Sequence, residues 1–82
     1  MPDVQAPARE LTFGEKAVGL SFNPSGTMVV NTIKTLYAAV IDELNTARTA
    51  AESPEAKRQY SVAITEAQTS QMWAVKAATW KD

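Results

Sequence analysis

The stretch Thr27–Ala51, TMVVNTIKTLYAAVIDELNTARTAA, decides the fold. Within it apolar residues recur at Val30, Ile33, Tyr37, Val40, Leu44, Ala47 and Ala51. Spacings of three and four residues place these side chains on one face of an α-helix. Neither proline nor glycine interrupts the run, so the pattern predicts one unbroken helix of roughly six turns. Val29, Leu36 and Ile41 fall beside that face and widen the apolar surface beyond what one partner helix would cover.

Just downstream, Ser53-Pro54 restarts the chain. Serine serves as N-cap, proline suits the first helical position, and Glu55 complements the positive end of the helix dipole. A second long helix is predicted from Pro54 to about Trp80, with no breaker inside it. One face carries Tyr60, Ile64, Ala67, Ala74, Val75 and Ala78; a second stripe carries Val62, Thr69, Trp73, Ala77 and Trp80. So short a connection folds two helices back as an antiparallel hairpin.

Upstream, Thr12-Phe13-Gly14-Glu15 fits a capping box, with Thr12 as N-cap and Glu15 at the third helical position. Gly19 is placed to end that short helix, and Leu20 and Phe22 follow as apolar anchors of a loop. Asn23-Pro24-Ser25-Gly26 has proline second and glycine fourth, the preference of a type I turn, and Ser25 or Thr27 can cap the long helix. Residues 1–10, with Pro2 and Pro7 and few apolar side chains, read as a flexible tail; residues 11–82 read as a single helical-hairpin domain. The expected fold is therefore all-α, a short N-terminal helix followed by a long antiparallel helical hairpin.

The bulk composition excludes several function classes. A chain of 82 residues makes one small domain, and 45% hydrophobic with 21% charged residues is ordinary globular composition. Eight basic and nine acidic residues give a net charge of −1, and the basic ones are scattered rather than gathered into a stripe. DNA binding is disfavoured on that ground. There is no cysteine, hence no disulfide and no thiolate metal site; there is no histidine, the commonest general base and metal ligand. No metal and no cofactor are expected. No stretch approaches the roughly 20 apolar residues that span a membrane. The N-terminal residues lack the basic and apolar regions of a secretion signal, so the expected location is the cytoplasm.

Two helices of about 25 residues are each about 37 Å long and bury one face against each other. Val29, Leu36, Ile41, Trp73 and Trp80 are then left over, and the short helix offers only Leu11, Phe13, Val18 and Leu20 to cover them. Exposed apolar surface of that extent marks an interface, which predicts a homo-oligomer.

Catalysis is not expected. Asp42 and Glu43 are adjacent on a helix, point about 100° apart and cannot flank one bond; they read as a solvated face. No serine or threonine has a histidine to activate it, and no glycine-rich phosphate loop occurs. The turn Phe22–Gly26 is different. It runs into a helix N-terminus, where unpaired N–H groups and the dipole favour an anion. Lys34 lies two turns on, on the same face as Thr27, and its side chain can reach back toward the helix start. Phe22 can stack on a nucleobase. The residues alone favour a plain scaffold over a binding site, with Phe22 a buried anchor, Pro24–Gly26 a mere turn and Lys34 a solvated charge. Trp73 and Trp80 read as oligomer core, and Lys76 between them either snorkels outward or faces a bound anion. Arg48, Lys57 and Arg58 read as solvated helix charges.

Residue identity adds to this. The run Glu15-Lys16-Ala17-Val18-Gly19 through Phe22-Asn23-Pro24-Ser25-Gly26, then Ile33-Lys34, resembles the anti-CBASS protein type 2 family of phages. So does Ala63-Ile64-Thr65-Glu66-Ala67-Gln68-Thr69-Ser70-Gln71-Met72-Trp73-Ala74-Val75-Lys76-Ala77-Ala78-Thr79-Trp80. The resemblance extends from about Leu11 to Trp80, nearly the whole chain. It implies a helical protomer assembling into a hexamer in the cytoplasm of an infected bacterium. It also implies a sponge that holds cyclic dinucleotides such as cGAMP intact, in pockets between two protomers. Some members take cyclic trinucleotides in a separate pocket among three protomers. By position, Phe22 would stack on a base, Asn23, Pro24, Ser25 and Gly26 would line the same pocket, and Lys34 would contact a phosphate. Lys76 is the candidate for the trinucleotide pocket. Where some members are expected to carry tyrosine, Phe22 keeps the stacking surface without the hydroxyl. The rival reading is a structural or regulatory helical-hairpin oligomer that binds a protein partner.

Overall fold

The computed structural model describes residues 9–23 and 26–82. In chain order the helices are α1 (Phe13–Ala17), α2 (Met28–Ala50) and α3 (Pro54–Ala78), with no strand among the described residues. The long hairpin is the one the apolar periodicity predicts, and the short helix the one marked by the capping box and Gly19. Residues 1–8 of the predicted tail, and Ser25 as a cap, lie outside the described residues.

The five residues of α1 form a helix because both ends are closed by side chain and backbone. Thr12 Oγ1 accepts from Glu15 N at 3.1 Å, while Thr12 N donates to Glu15 Oε1 at 2.8 Å, the reciprocal capping box. Arg9 donates two bonds of 2.6 Å to the same carboxylate. The Arg9 hydrogen bond, followed by the Thr12 amide, holds the Glu15 carboxyl down at about 2. At the other end Gly19 takes φ +64°, where a side chain would be strained. Gly19 N then reaches Lys16 O at 3.1 Å and Leu20 N reaches Glu15 O at 2.9 Å, a Schellman closure.

Gly14 has a second function that periodicity does not reveal. A Cβ on it would lie 2.1 Å from Ala38 O, so only glycine lets α1 rest on the backbone of α2. Its amide donates to Asp42 Oδ1 at 2.7 Å, so a carboxylate from α2 caps α1. Asp42, read with Glu43 as a solvated face, is instead half-buried under α1, while Glu43 is exposed.

α2 and α3 pack antiparallel. Arg48 Nη1 donates to Ser61 Oγ at 3.0 Å near the turn, and Tyr37 and Ser70 join their hydroxyls farther along. Ser53 caps α3 through Ala56 N at 3.2 Å, with Pro54 first in the helix. Two of the charges expected to be merely solvated are structural. Lys57 Nζ donates to Arg48 O at 3.0 Å at the end of α2, and Arg48 stacks 5.5 Å from the Phe13 ring centroid. Arg58 forms an exposed pair with Glu55 at 2.7 Å, a contact of small energetic weight.

The core is Val18, Ala38, Ile41 and Ile64, flanked by Ala17, Leu20, Tyr37, Leu44 and Ala67. Two sequence-based assignments change here. Ile41, expected among the leftovers, is fully buried, whereas Val40, expected on the packed face, is half exposed. The reason is that α2 serves two partners at once. α3 takes one side and α1 with its following turn takes the next, which centres the buried face on Val30, Lys34, Ala38 and Ile41. The other leftovers stand as expected: Val29, Leu36, Trp73 and Trp80 are exposed on this protomer. Among the described residues no helix is long and apolar enough to cross a membrane.

Candidate ligand-binding site

Between α1 and α2 the chain makes two tight turns. The first, Gly19–Phe22, is closed by Phe22 N donating to Gly19 O at 2.9 Å. The second runs from Asn23 to Gly26, where Gly26 N donates to Asn23 O at 3.0 Å and Gly26 takes φ +65°. Asn23 Nδ2 reaches across to Thr27 O at 3.1 Å, tying this turn to the residue that opens α2. Pro24 and Ser25, both predicted site residues, lie outside the described residues.

Lys34 fastens the first turn from below. Its Nζ donates to Gly19 O at 3.0 Å and also to Phe22 O, so one ammonium holds both ends of the turn. The side chain is buried, at 5% exposure, and the ammonium sits 5.4 Å from the centroid of the Phe22 ring. The ring itself faces outward, at 71% exposure. Two parts of the scaffold reading change on this protomer. Phe22 is not a buried anchor, and Lys34 is not a solvated charge. The carbonyls that receive Lys34 belong to backbone, which no side-chain pattern announces.

The electrostatics of this corner are one-sided. Among the described residues the ion pairs are Arg9–Glu15 and Arg58–Glu55, and Lys34 belongs to neither. Two neutral carbonyl dipoles stabilise a buried ammonium without cancelling its charge. The start of α2 adds the partial positive charge of a helix N-terminus. The structure thus brings Phe22, Asn23, Gly26 and Lys34 into one corner that presents an exposed aromatic face over an unneutralised cation. Such a corner suits a planar aromatic group carrying an anion. Among the described residues no acidic cluster is placed to hold a metal ion.

Lys76 stands elsewhere, near the end of α3, with its Nζ 5.2 Å from the Trp73 ring centroid. Trp73, Lys76, Ala77 and Trp80 line one open, mainly apolar hollow there. Trp80 Nε1 donates to Asp82 Oδ1 at 3.1 Å, leaving the ring exposed.

Comparison with known proteins returns no match among curated proteins or solved structures. The family model described as Acb2/Tad1, hairpin domain, matches residues 15–79, which takes in α2, α3, the two turns and most of α1. The match covers well over half of the chain, so the protein belongs to the Acb2/Tad1 hairpin-domain family, the anti-CBASS protein type 2 family, whose general role is phage anti-defence through cyclic-nucleotide binding.

Proposed function

We propose that this protein is a phage-encoded sponge that binds cyclic oligonucleotide messengers, cyclic dinucleotides such as cGAMP first, and withholds them intact from the host's CBASS effectors. The observation that carries this reading is the pairing of an exposed Phe22 ring with the buried ammonium of Lys34, which meets no carboxylate among the described residues. A cyclic dinucleotide offers two bases and two phosphates. Each protomer supplies one stacking ring and one cation, so two copies related by a two-fold axis match the near two-fold ribose–phosphate ring of the ligand and its two bases. Stacking on an aromatic side chain contributes about 1–3 kcal/mol per base.

The assembly follows from the same reading. Val29, Leu36, Trp73 and Trp80, exposed on the protomer, are the surfaces through which copies associate, and the assembly we propose is a hexamer. Binding without cleavage fits a sequence with no histidine and no cysteine to serve as base, nucleophile or metal ligand. Lys76, beside two tryptophans, is the candidate for a cyclic-trinucleotide pocket, and the protein works in the cytoplasm of the infected cell. Isothermal titration with 3′,3′-cGAMP tests the reading. Saturable heat at one ligand per two chains supports it; absence of heat with cyclic di- and trinucleotides alike refutes it and favours a protein-binding hairpin.

A further inference from the structure

We propose that Lys34 is a positioning residue that builds the binding wall before any ligand arrives, in addition to offering a cation to a phosphate. The inference rests on the reading that Phe22 receives the ligand's base. A lysine ammonium has three protons. Two of them are committed to Gly19 O and Phe22 O. Those carbonyls are the two ends of the turn already closed by Phe22 N and Gly19 O. The ammonium is therefore a rivet through the turn, and it fixes the backbone that projects the Phe22 ring outward. One proton remains for a ligand phosphate.

The arrangement explains why a lysine with only 5% exposure sits on the packed face of α2 beside Val30 and Ala38. A cation used only for a ligand would gain from staying in water until the ligand came. A cation that orders the turn must be buried against it. Preordering of this kind strengthens binding by removing the cost of arranging the loop at the moment of capture.

Hydrogen exchange on the ligand-free, full-length protein tests the inference, with Lys34→Met and Phe22→Ala as variants. Methionine keeps the buried stem and removes the three donors. In Lys34→Met the amide of Phe22 should exchange at least about ten-fold faster while that of Ile41 is unchanged, because only the turn loses its charge-assisted bonds. Phe22→Ala should leave exchange at residue 22 unaltered and yet weaken 3′,3′-cGAMP binding by at least about ten-fold. Unchanged exchange at Phe22 in Lys34→Met overturns the proposal. Should that variant fail to fold, the wild-type protein decides: the Lys34 ammonium protons should exchange slowly beside those of exposed Lys16, and solvent-averaged protons overturn the proposal. Failure of the wild type to bind 3′,3′-cGAMP removes the functional reading and the ligand half of this inference, while the exchange result still decides whether Lys34 orders the turn.

Discussion

Replacing Gly14 by alanine sets two effects against each other, and the structure says which wins. On helix propensity alone the change should stabilise α1 by about 1 kcal/mol. The new Cβ, however, would lie 2.1 Å from Ala38 O, 2.9 Å from Ala38 C and 2.9 Å from Asp42 Oδ1. Two of those atoms are backbone of α2 and cannot swing aside. If α1 stays in place, the overpacking costs about 3 kcal/mol, the upper part of the usual range for a rigid site. If α1 lifts instead, it forfeits the 2.7 Å bond from Gly14 N to Asp42, about 1.5–3 kcal/mol. It also exposes Val18, now at 4%, for about another 1.5–3 kcal/mol. By either route the net loss is at least about 2 kcal/mol, a melting-point fall of about 8–16 °C for a domain of this size. Thermal melts followed by circular dichroism, at matched protomer concentration, measure it. A Gly14→Ala protein as stable as the wild type, or more so, would refute the close approach of α1 and α2.

Further outcomes follow from other parts of the fold. Glu15 is held at about 2 against an ordinary value of 4.5, chiefly by the Arg9 hydrogen bond and then by the Thr12 amide. A depressed carboxyl contributes its full stability above the unfolded value and loses it as pH falls through the folded one. Melting temperature should therefore decline between about pH 4.5 and pH 2, and Glu15→Gln should flatten that decline; an unchanged acid limb contradicts the assignment. Ile41→Ala empties a fully buried large side chain and should cost about 2–5 kcal/mol in urea unfolding, whereas Val40→Ala at its half-exposed neighbour should cost far less. Trp73→Glu and Leu36→Glu place charges on exposed apolar sites and should shift native mass toward the 8.9 kDa protomer with helicity retained. Assemblies unaffected by both would place the contacts between copies elsewhere.

The helices were legible in the sequence because their signals are local. Thr12 with Glu15, Ser53 with Pro54, and Gly19 each carry a cap or stop whose chemistry acts within a few residues. Which face of α2 is buried was legible only in part. The apolar period ran through Val40, but the packed face is set by two neighbours, and α1 enters from the side that claims Ile41. Gly14 illustrates the same limit: its role comes from a carbonyl at Ala38, a contact across the fold that no spacing in its own helix encodes. At the site, residue types pointed to Phe22 and Lys34 together, and the structure places them 5.4 Å apart. What the residues could not convey is that Lys34 is buried and bonded to backbone oxygens, because main-chain acceptors leave no trace in residue identity.

The central claim is capture without chemistry. Incubation of the protein with 3′,3′-cGAMP, removal of protein by filtration, and proteinase digestion of the retained fraction test it most directly. The account predicts a filtrate depleted of nucleotide and, after digestion, recovery of the same cyclic molecule unaltered. Nucleotide left in the filtrate at protein excess, or linear products released on digestion, would contradict it.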